Sequence, residues 1–360
     1  MVQGDTCLSA ISLCLAAGIQ PEEAATFANF ASAVTIQKLF TTGTASGDEI
    51  LSISKDADYN FRPELANDLR AARYHEDSEI EICDTEVNSV LGTIKHMVFD
   101  HDGTISTQRE GWEAIMEPVM IKAVLGDLYE TADKALYDLV RKRVLDFIDT
   151  STGIQTIVQM EGLVKMVEEF GLVPQEDILD KFGYKEIYND GLMEMVNERM
   201  LKLNSGQLNV SDFTLKGAVD FLNALKKRGV TMYLASGTDE EDVINESKSL
   251  GYAHLFDGGI YGSVGDISKY SKKMVIEKII RENKLKGNEL VVIGDGPVEI
   301  KECIKAGGIA IGIASDEVRR YGLNLQKRSR LIKAGAKLII SDFSQGDTLL
   351  DLIFNTQKNV

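Results

Sequence analysis

The chain has 360 residues, of which 44% are apolar and 26% are charged, and its formal net charge is −17 at pH 7. This length is sufficient for two or three domains with hydrophobic cores, whereas the acidic balance argues against a nucleic-acid-binding surface, because such surfaces need clustered lysine and arginine. No apolar run approaches the roughly 20 residues of a membrane-spanning helix, so we expect neither nucleic acid nor a membrane as a partner.

The cysteines are scattered and have no metal-ligand spacing: they are Cys7, Cys14, Cys83 and Cys303. This pattern is typical of a reducing compartment rather than of a disulfide framework. The apolar stretch 7–18 has no basic residue before it and is followed by a helix start at Pro21, which favours a buried helix over a signal peptide. The sequence therefore predicts a cytoplasmic protein.

The first part of the chain predicts a short, mostly helical segment. Helical patterns cover 6–17 and 21–38, and a loop rich in Gly and Thr follows at 41–47. The residues from 52 to 77 are charged and include Pro63, and 79–82 alternate with the period of a half-buried strand. We predict an N-terminal domain over 1–55 and a linker over 56–94 that ends in an edge strand.

From residue 95 the chain alternates apolar, strand-like runs with helical patterns, which is typical of a parallel sheet covered by helices on both faces. The predicted strands are 97–99, 231–235, 258–261, 290–293, 308–311 and 337–340. Between the first two, the interval 105–212 is helical in pattern, with examples at 112–128, 134–148 and 161–170. We predict an α/β, Rossmann-like core over 95–104 and 213–350 with an inserted helical domain over 105–212, which either caps a site or is inert.

Two carboxylates follow the first of these strands, at Asp100 and Asp102, and a Gly-Thr turn at Gly103 and Thr104 comes next. Residues i and i+2 of a strand point the same way, and open α/β sheets bind ligands at the carboxyl ends of their strands. The pair therefore indicates a site for acid–base or nucleophilic chemistry. The alternative is a polar strand end followed by a common Asp-Gly turn.

Two further segments carry groups that suit a phosphate. Ser236-Gly237 follows a strand and offers a hydroxyl and a backbone N–H before a helix N-terminus, where anions are favoured; the alternative is an ordinary Ser-Gly turn. Lys272 opens a predicted helix over 274–281, although the helix dipole disfavours a cation there. A functional lysine at 272, or its neighbour Lys273, is one explanation, and a solvated basic turn is the other.

A carboxylate also follows the strand 290–293, at Asp295, and a second one, Glu299, opens the next helix. Hard oxygen ligands at such positions suit Mg²⁺, which binds through one or two carboxylates together with substrate phosphate. The alternative is a Gly-Asp-Gly turn followed by a glutamate that favours a helix start.

Taken in order, these four segments resemble the motifs of the haloacid dehalogenase superfamily of phosphohydrolases, over about residues 95–345. The helical insert is similar to the cap of the branch that contains phosphoglycolate phosphatase and β-phosphoglucomutase. The resemblance implies that Asp100 attacks phosphorus and forms an aspartyl phosphate, and that Asp102 acts as the general acid and then as the general base. It also implies that Ser236 and Lys272 hold the phosphoryl oxygens.

The same resemblance implies a Mg²⁺ cofactor held by Asp100, the main-chain carbonyl of Asp102, and Asp295, with Glu299 supporting or completing the site. We assign Thr104, Gly237 and Arg109 as substrate-binding residues. In the cap, the leaving group could also face Glu110, Trp112 or the segment 152–156. The alternative for these polar residues is an ordinary helix cap.

The N-terminal segment resembles the C-terminal part of ribokinase-type sugar kinases, on Gly4-Asp5, the helical stretch after it and the Gly43-Thr44 loop. Asp5 matches the position of that family's catalytic base. We expect the chain to be the tail of a sugar kinase, separate or fused, joined to a phosphatase, and to have no kinase activity. The alternative is an unrelated two-helix extension.

The sequence thus predicts a Mg²⁺-dependent phosphatase for a small phosphorylated metabolite. We favour a sugar phosphate as the substrate because the N-terminal segment resembles a sugar kinase and fused domains often share a pathway. This reason is an association and not a mechanism. The alternatives are a phosphomutase with the same core residues and a non-catalytic docking domain.

Overall fold

The computed structural model of the chain describes residues 2–36, 38, 44–55, 59–265 and 269–355. The chain divides into two compact units, Met1–Tyr59 and Asn60–Val360. Within the described residues, no helix is long and apolar enough to cross a bilayer.

The first unit is helical. Its helices are α1 (Val2–Ala16), α2 (Pro21–Ile36) and α3 (Gly47–Lys55). They meet through small apolar side chains, namely Ala10, Ala28, Ala31, Val34 and Ile50. Two helices lie where the sequence predicts them, whereas the predicted loop at 41–47, with Gly43, falls partly outside the described residues. Asp5 lies exposed in the first turn of α1.

The second unit is built around one sheet. Its strands are β1 (Glu81–Ile82), β2 (His96–Phe99), β3 (Thr231–Asp239), β4 (Gly259–Ser263), β5 (Leu290–Gly294), β6 (Ile309–Ile313) and β7 (Leu338–Ile340). The spatial order is β1-β7-β6-β5-β2-β3-β4. All neighbouring strands pair in parallel except β1, which is antiparallel to β7. All six strands predicted from residue 95 onward are present, and the predicted fold class is confirmed.

Helices cover both faces of this sheet because both faces of its strands are apolar. In β2, Met97 and Phe99 belong to one hydrophobic core, whereas Val98, between them, belongs to the other. On the side of Met97 lie α9 (Ala218–Lys227), α10 (Glu240–Ser249) and α14 (Gly346–Phe354), and on the side of Val98 lie α11 (Lys272–Asn283), α12 (Pro297–Lys305) and α13 (Leu325–Ala334).

The interval after β2 folds into helices with a core of their own. They are α5 (Trp112–Leu125), α6 (Lys134–Ser151), α7 (Thr156–Phe170) and α8 (Lys181–Asn204). Their shared core contains Met116, Met120, Val140, Val144, Met160, Leu163 and Leu192. We refer to these four helices and the loops that connect them as the cap. The prediction of a helical insert agrees with these elements, while its exact limits, 105 and 212, stay a prediction.

The segment predicted as a linker, 56–94, differs from that expectation from residue 60 onward. It contains α4 (Pro63–Asn67) and the edge strand β1, and it is part of the second compact unit. The physical reason is a buried ion pair: Arg328 on α13 donates two hydrogen bonds of 2.6 Å to the carboxylate of Glu81 in β1. Its guanidinium also donates to the carbonyls of Leu65 and Ala66, at 3.2 and 3.3 Å.

Replacement of Arg328 by methionine is expected to lower the free energy of unfolding by about 3–5 kcal/mol, because Glu81 would stay buried without a counter-charge. Urea denaturation followed by circular dichroism measures this change. As a control, Arg319→Met removes an exposed pair with Asp316 and should cost less than about 1 kcal/mol. The double variant Glu81→Leu/Arg328→Met should recover most of the loss, and equal losses at Arg328 and Arg319 would contradict the assignment.

Candidate active site

The sheet brings three of the predicted site residues to one edge. In the ladder, Phe99 of β2 lies opposite Ile293 of β5 on one side and Leu234 of β3 on the other. The residues just beyond these positions are Asp100, Asp295 and Ser236, and all three are buried. The carboxyl ends of three adjacent parallel strands therefore converge, as expected for a ligand site in an open α/β sheet.

Lys272 completes this group from the first residue of α11. Its Nζ lies 2.9 Å from Oδ2 of Asp100 and 2.9 Å from Oε2 of Glu299. Its neighbour Lys273 is exposed. A buried cation at a helix N-terminus opposes the helix dipole and is stable only when carboxylates pair with it. The structure thus places Lys272, and not Lys273, beside Asp100.

The charges of Asp100 and Lys272 are strongly linked. Burial raises the pKa of Asp100 well above its usual range, and Glu299 and Asp295 raise it further, while Lys272 lowers it. Burial opposes the charge on Lys272, but the carboxylates of Asp100 and Glu299 outweigh this effect and raise the pKa of the amine. Positive charge in addition to that of Lys272 would therefore favour the ionised form of Asp100.

The donor set fits a divalent cation. Carboxylate oxygens of Asp100, Asp295 and Glu299 lie within 4.8 Å of one another, and hard oxygen ligands suit Mg²⁺. The lysine that contacts Asp295, Lys327, is itself shared with Glu317. Because carboxylates outnumber the lysines that contact them, a cation would offset the remaining negative charge.

Glu299 is held by two other contacts. Oε1 accepts the N–H of Gly296 at 2.6 Å, and Oε2 accepts from Lys272. These bonds orient both the turn after β5 and the lysine, so Glu299 supports the site through Lys272 as well as being near enough to complete a cation site.

The Asp102 side chain contacts a different set of groups. Its Oδ2 accepts hydrogen bonds from Thr238 Oγ1 at 2.9 Å and from Ser236 Oγ at 3.3 Å. Oδ1 lies 3.4 Å from His101 Nδ1 and 4.0 Å from Arg109 Nε. Burial raises the pKa of Asp102, but His101 and Arg109 outweigh it and hold the pKa below its usual range. These contacts favour the carboxylate form of Asp102, whereas a phosphoryl group beside it would favour the acid form.

Gly103 makes the turn between Asp102 and the buried chain beyond it. Its φ is +71°, which favours glycine, and a Cβ at this position would overlap the carboxylate of Asp295. Thr104 follows it, is fully buried and does not line the pocket. The turn closes on the carbonyl of His101, which accepts the N–H of Ile105 at 3.0 Å. The prediction that Thr104 binds substrate therefore disagrees with the structure.

Arg109 lines the pocket, but its guanidinium is already used. Nε and Nη2 contact Oε1 of Glu246 at 3.0 and 2.6 Å, and Nη2 lies 3.0 Å from Asp242. Glu246 is buried on α10 and also approaches Nδ1 of His101, at 3.9 Å. No local sequence pattern indicates this pairing. Arg109 reaches the pocket wall and also ties the start of the cap to the core.

The loop between α6 and α7 and the start of α7 contact the core. Gln155 Nε2 donates to the carbonyl of Tyr270 at 2.5 Å, and its Oε1 accepts from Ser263 Oγ at 2.9 Å. A Cβ on Gly237 would lie 2.7 Å from the carbonyl oxygen of Ile154, so this close approach requires glycine. Gly237 therefore lines the pocket where the loop meets the core.

The pocket lies between this loop and the strand ends. Its lining includes the predicted residues Asp100, Asp102, Ser236, Gly237, Lys272, Asp295 and Arg109, and the cap residues Trp112, Thr152, Gly153, Ile154 and Thr156. Sequence reasoning missed Gln159 on α7, Tyr188 and Leu192 on α8, and Thr238 and Glu317 in the core. In the sequence nothing distinguishes Gln159, Tyr188 and Leu192 from other helical residues. Only the packing of the cap helices places them at the pocket.

Comparison with known proteins agrees with this arrangement. A model of the family described as haloacid dehalogenase-like hydrolase matches residues 94–307, which is more than half of the chain. The chain belongs to this family. The prediction of a hydrolase of the haloacid dehalogenase superfamily is therefore confirmed.

Several solved structures resemble the chain at low identity. They include a β-phosphoglucomutase from Clostridium difficile (16% identity, TM-score 0.48, 73% of this chain and 98% of that chain), a predicted phosphoglycolate phosphatase from Haemophilus somnus (16%, 0.48, 72% and 98%) and a predicted phosphatase from Clostridium acetobutylicum (16%, 0.46, 72% and 100%). The chain has no significant match among curated proteins.

Proposed function

We propose that this chain is a Mg²⁺-dependent phosphatase that hydrolyses a small phosphorylated metabolite, a sugar phosphate, through an aspartyl-phosphate intermediate. The observation that carries the proposal is the contact of buried Lys272 with Asp100, at 2.9 Å, at the strand end where the acid Asp102 also lies. A nucleophile, a phosphate-binding cation and a proton-transfer group then meet in one pocket.

In the first step, a carboxylate oxygen of Asp100 attacks phosphorus and the bond to the leaving oxygen breaks. Asp102 donates a proton to that oxygen. In the second step, Asp102 removes a proton from water, the water oxygen attacks phosphorus, and the bond to Asp100 breaks to release inorganic phosphate. Lys272 and the hydroxyl of Ser236 hold the phosphoryl oxygens, which requires Ser236 to release its bond to Asp102.

Mg²⁺ would be held by Asp100, the main-chain carbonyl of Asp102, and Asp295, with Glu299 beside them. When bound, the ion supplies the positive charge that the carboxylates and the phosphoryl group require. The carboxylate cluster of this pocket supports this assignment.

A phosphate-release screen over phosphorylated metabolites tests the function. With Mg²⁺ we expect release from at least one sugar phosphate, loss of release when EDTA is added, and recovery when Mg²⁺ is restored, because the carboxylates need a cation to bind an anion. Release that is unchanged by EDTA would contradict the Mg²⁺ dependence. Conversion of one sugar phosphate into its isomer without free phosphate would instead indicate a mutase.

We also propose that residues 1–55 are related to the C-terminal part of a sugar kinase but phosphorylate no sugar. Asp5 is exposed on α1, and the core of this unit is formed by small apolar side chains, which supports a structural segment. ATP-dependent phosphorylation of a sugar panel by the full chain tests this, and measurable product would contradict it.

A cytoplasmic location, and the expectation of no nucleic acid or membrane partner, remain proposals that rest on the acidic charge and the cysteine pattern.

A further inference from the structure

The described residues that line the cap side of the pocket carry no charged side chain. The cap residues that line it are Trp112, Thr152, Gly153, Ile154, Thr156, Gln159, Tyr188 and Leu192. Aromatic and aliphatic surfaces of this kind cover apolar faces of a ligand, and the threonines and the glutamine offer hydrogen bonds to hydroxyl groups. An uncharged leaving group with hydroxyls suits such a wall.

The cations that line the pocket are both engaged. Among the described lining residues, the only lysine or arginine side chains are those of Lys272 and Arg109. Lys272 is shared by Asp100 and Glu299, and it serves the phosphoryl end. Arg109 is paired with Asp242 and Glu246. A second anionic group on the substrate would therefore have to break one of these buried pairs.

Other described basic side chains close to the pocket lining are paired with carboxylates as well. Lys185 lies 2.7 Å from Asp239 and Arg330 lies 2.9 Å from Asp149. Lys327 is shared by Asp295 and Glu317. The core side of the lining carries the carboxyl groups of Asp102, Asp295 and Glu317, which a second anionic group would approach. A carboxylate or a second phosphate would thus face like charges, which disfavours binding.

We propose that this pocket selects phosphomonoesters whose leaving group is uncharged, and that it excludes substrates with a second phosphate or a carboxylate. The inference rests on the proposed phosphatase function and adds the substrate class. It also assigns the outcome of the reaction. A mutase must pass the phosphoryl group from Asp100 to a hydroxyl of a monophosphate, which creates a bisphosphate whose other phosphate lies against the cap. The described cap residues of the lining include no cation to hold this phosphate, so we expect water to be the acceptor.

Matched substrate pairs test the proposal. In each pair one member carries an additional anionic group: 2-hydroxyethyl phosphate against phosphoglycolate, glycerol 3-phosphate against 3-phosphoglycerate, and fructose 6-phosphate against fructose 1,6-bisphosphate. We expect kcat/KM for phosphate release, or competition against 4-nitrophenyl phosphate, to favour the uncharged leaving group by at least about 100-fold. Equal or greater preference for the charged member would overturn the proposal. No hydrolysis of any of these esters, 4-nitrophenyl phosphate included, would count against the phosphatase function instead.

A cation introduced into the cap wall tests the same point in the opposite direction. Thr156→Arg is expected to raise the charged-to-uncharged ratio of kcat/KM at least about tenfold, whereas Thr156→Gln, a neutral side chain at the same position, should leave that ratio unchanged. If Thr156→Arg does not fold, Gln159→Lys with Gln159→Met as its control provides the same comparison. An unchanged ratio in a folded cationic variant would overturn the proposal.

Discussion

Asp100→Asn is expected to abolish phosphate release, with a loss in kcat of at least about 10³-fold, because an amide cannot form the aspartyl phosphate. Asparagine preserves the shape of the side chain and can still accept the N–H of His101 that Asp100 accepts at 2.9 Å. We therefore expect an unchanged circular dichroism spectrum. Phosphate release from 4-nitrophenyl phosphate and from the best substrate of the screen measures the effect.

The control removes a carboxylate of the same type on the cap surface. Asp138 pairs with Lys134 on α6 and is exposed, so Asp138→Asn should change kcat less than about twofold. Activity that survives Asp100→Asn would falsify the assigned nucleophile. Asp102→Asn adds a sharper readout: 4-nitrophenolate leaves without needing a proton donor, so the phosphoenzyme should form and then persist. Mass spectrometry after trapping with hydroxylamine should locate it at residue 100.

Lys272→Met and Lys273→Met are expected to differ widely although the two residues are adjacent. Loss of Lys272 should lower kcat/KM about 10²- to 10³-fold, because a positioned donor to the phosphoryl oxygens is removed. Lys273 is exposed, and its loss should change kcat/KM less than about twofold. Steady-state kinetics of both variants measure the difference, and similar losses would contradict the assignment of Lys272.

We expect the same two variants to differ in the pH dependence of the reaction rate. Lys272 lowers the pKa of Asp100 against the effect of burial, so its removal raises that pKa and favours the protonated, inactive acid. The acid limb of the pH–rate profile should move to higher pH in Lys272→Met and stay in place in Lys273→Met. An unmoved acid limb in Lys272→Met would show that this lysine does not control the ionisation of the nucleophile.

Much of the core could be predicted from the sequence because its signals are local. Each strand is a short apolar run, and each predicted site residue of the core follows such a run or opens a helix. Once the strands are parallel neighbours, as β5, β2 and β3 are, the residues Asp100, Ser236 and Asp295 must converge. Their catalytic roles stay predictions that the variants above test.

The parts that could not be predicted depend on pairings between distant residues. Arg109 carries the positive charge expected of a residue that binds a phosphorylated substrate. Its partner, Glu246, lies 137 residues further along the chain. Arg328 and Glu81 are 247 residues apart, so a segment that looks like a charged linker is fixed to the sheet. Thr104 ends the first motif, and its burial beyond the turn at Gly103 is visible only in the folded structure. Local patterns contain no information on such contacts.

The edge strand β1 has a consequence for the limits of the folding unit. The family match begins at residue 94, whereas the compact unit begins at Asn60. A fragment cut at residue 94 would keep every carboxylate of the pocket, yet it would leave Arg328 inside the protein without Glu81. It would also uncover the backbone of β7 as a free sheet edge, which invites association with other chains. The region that the family model matches and the compact folding unit therefore do not have the same boundaries in this chain.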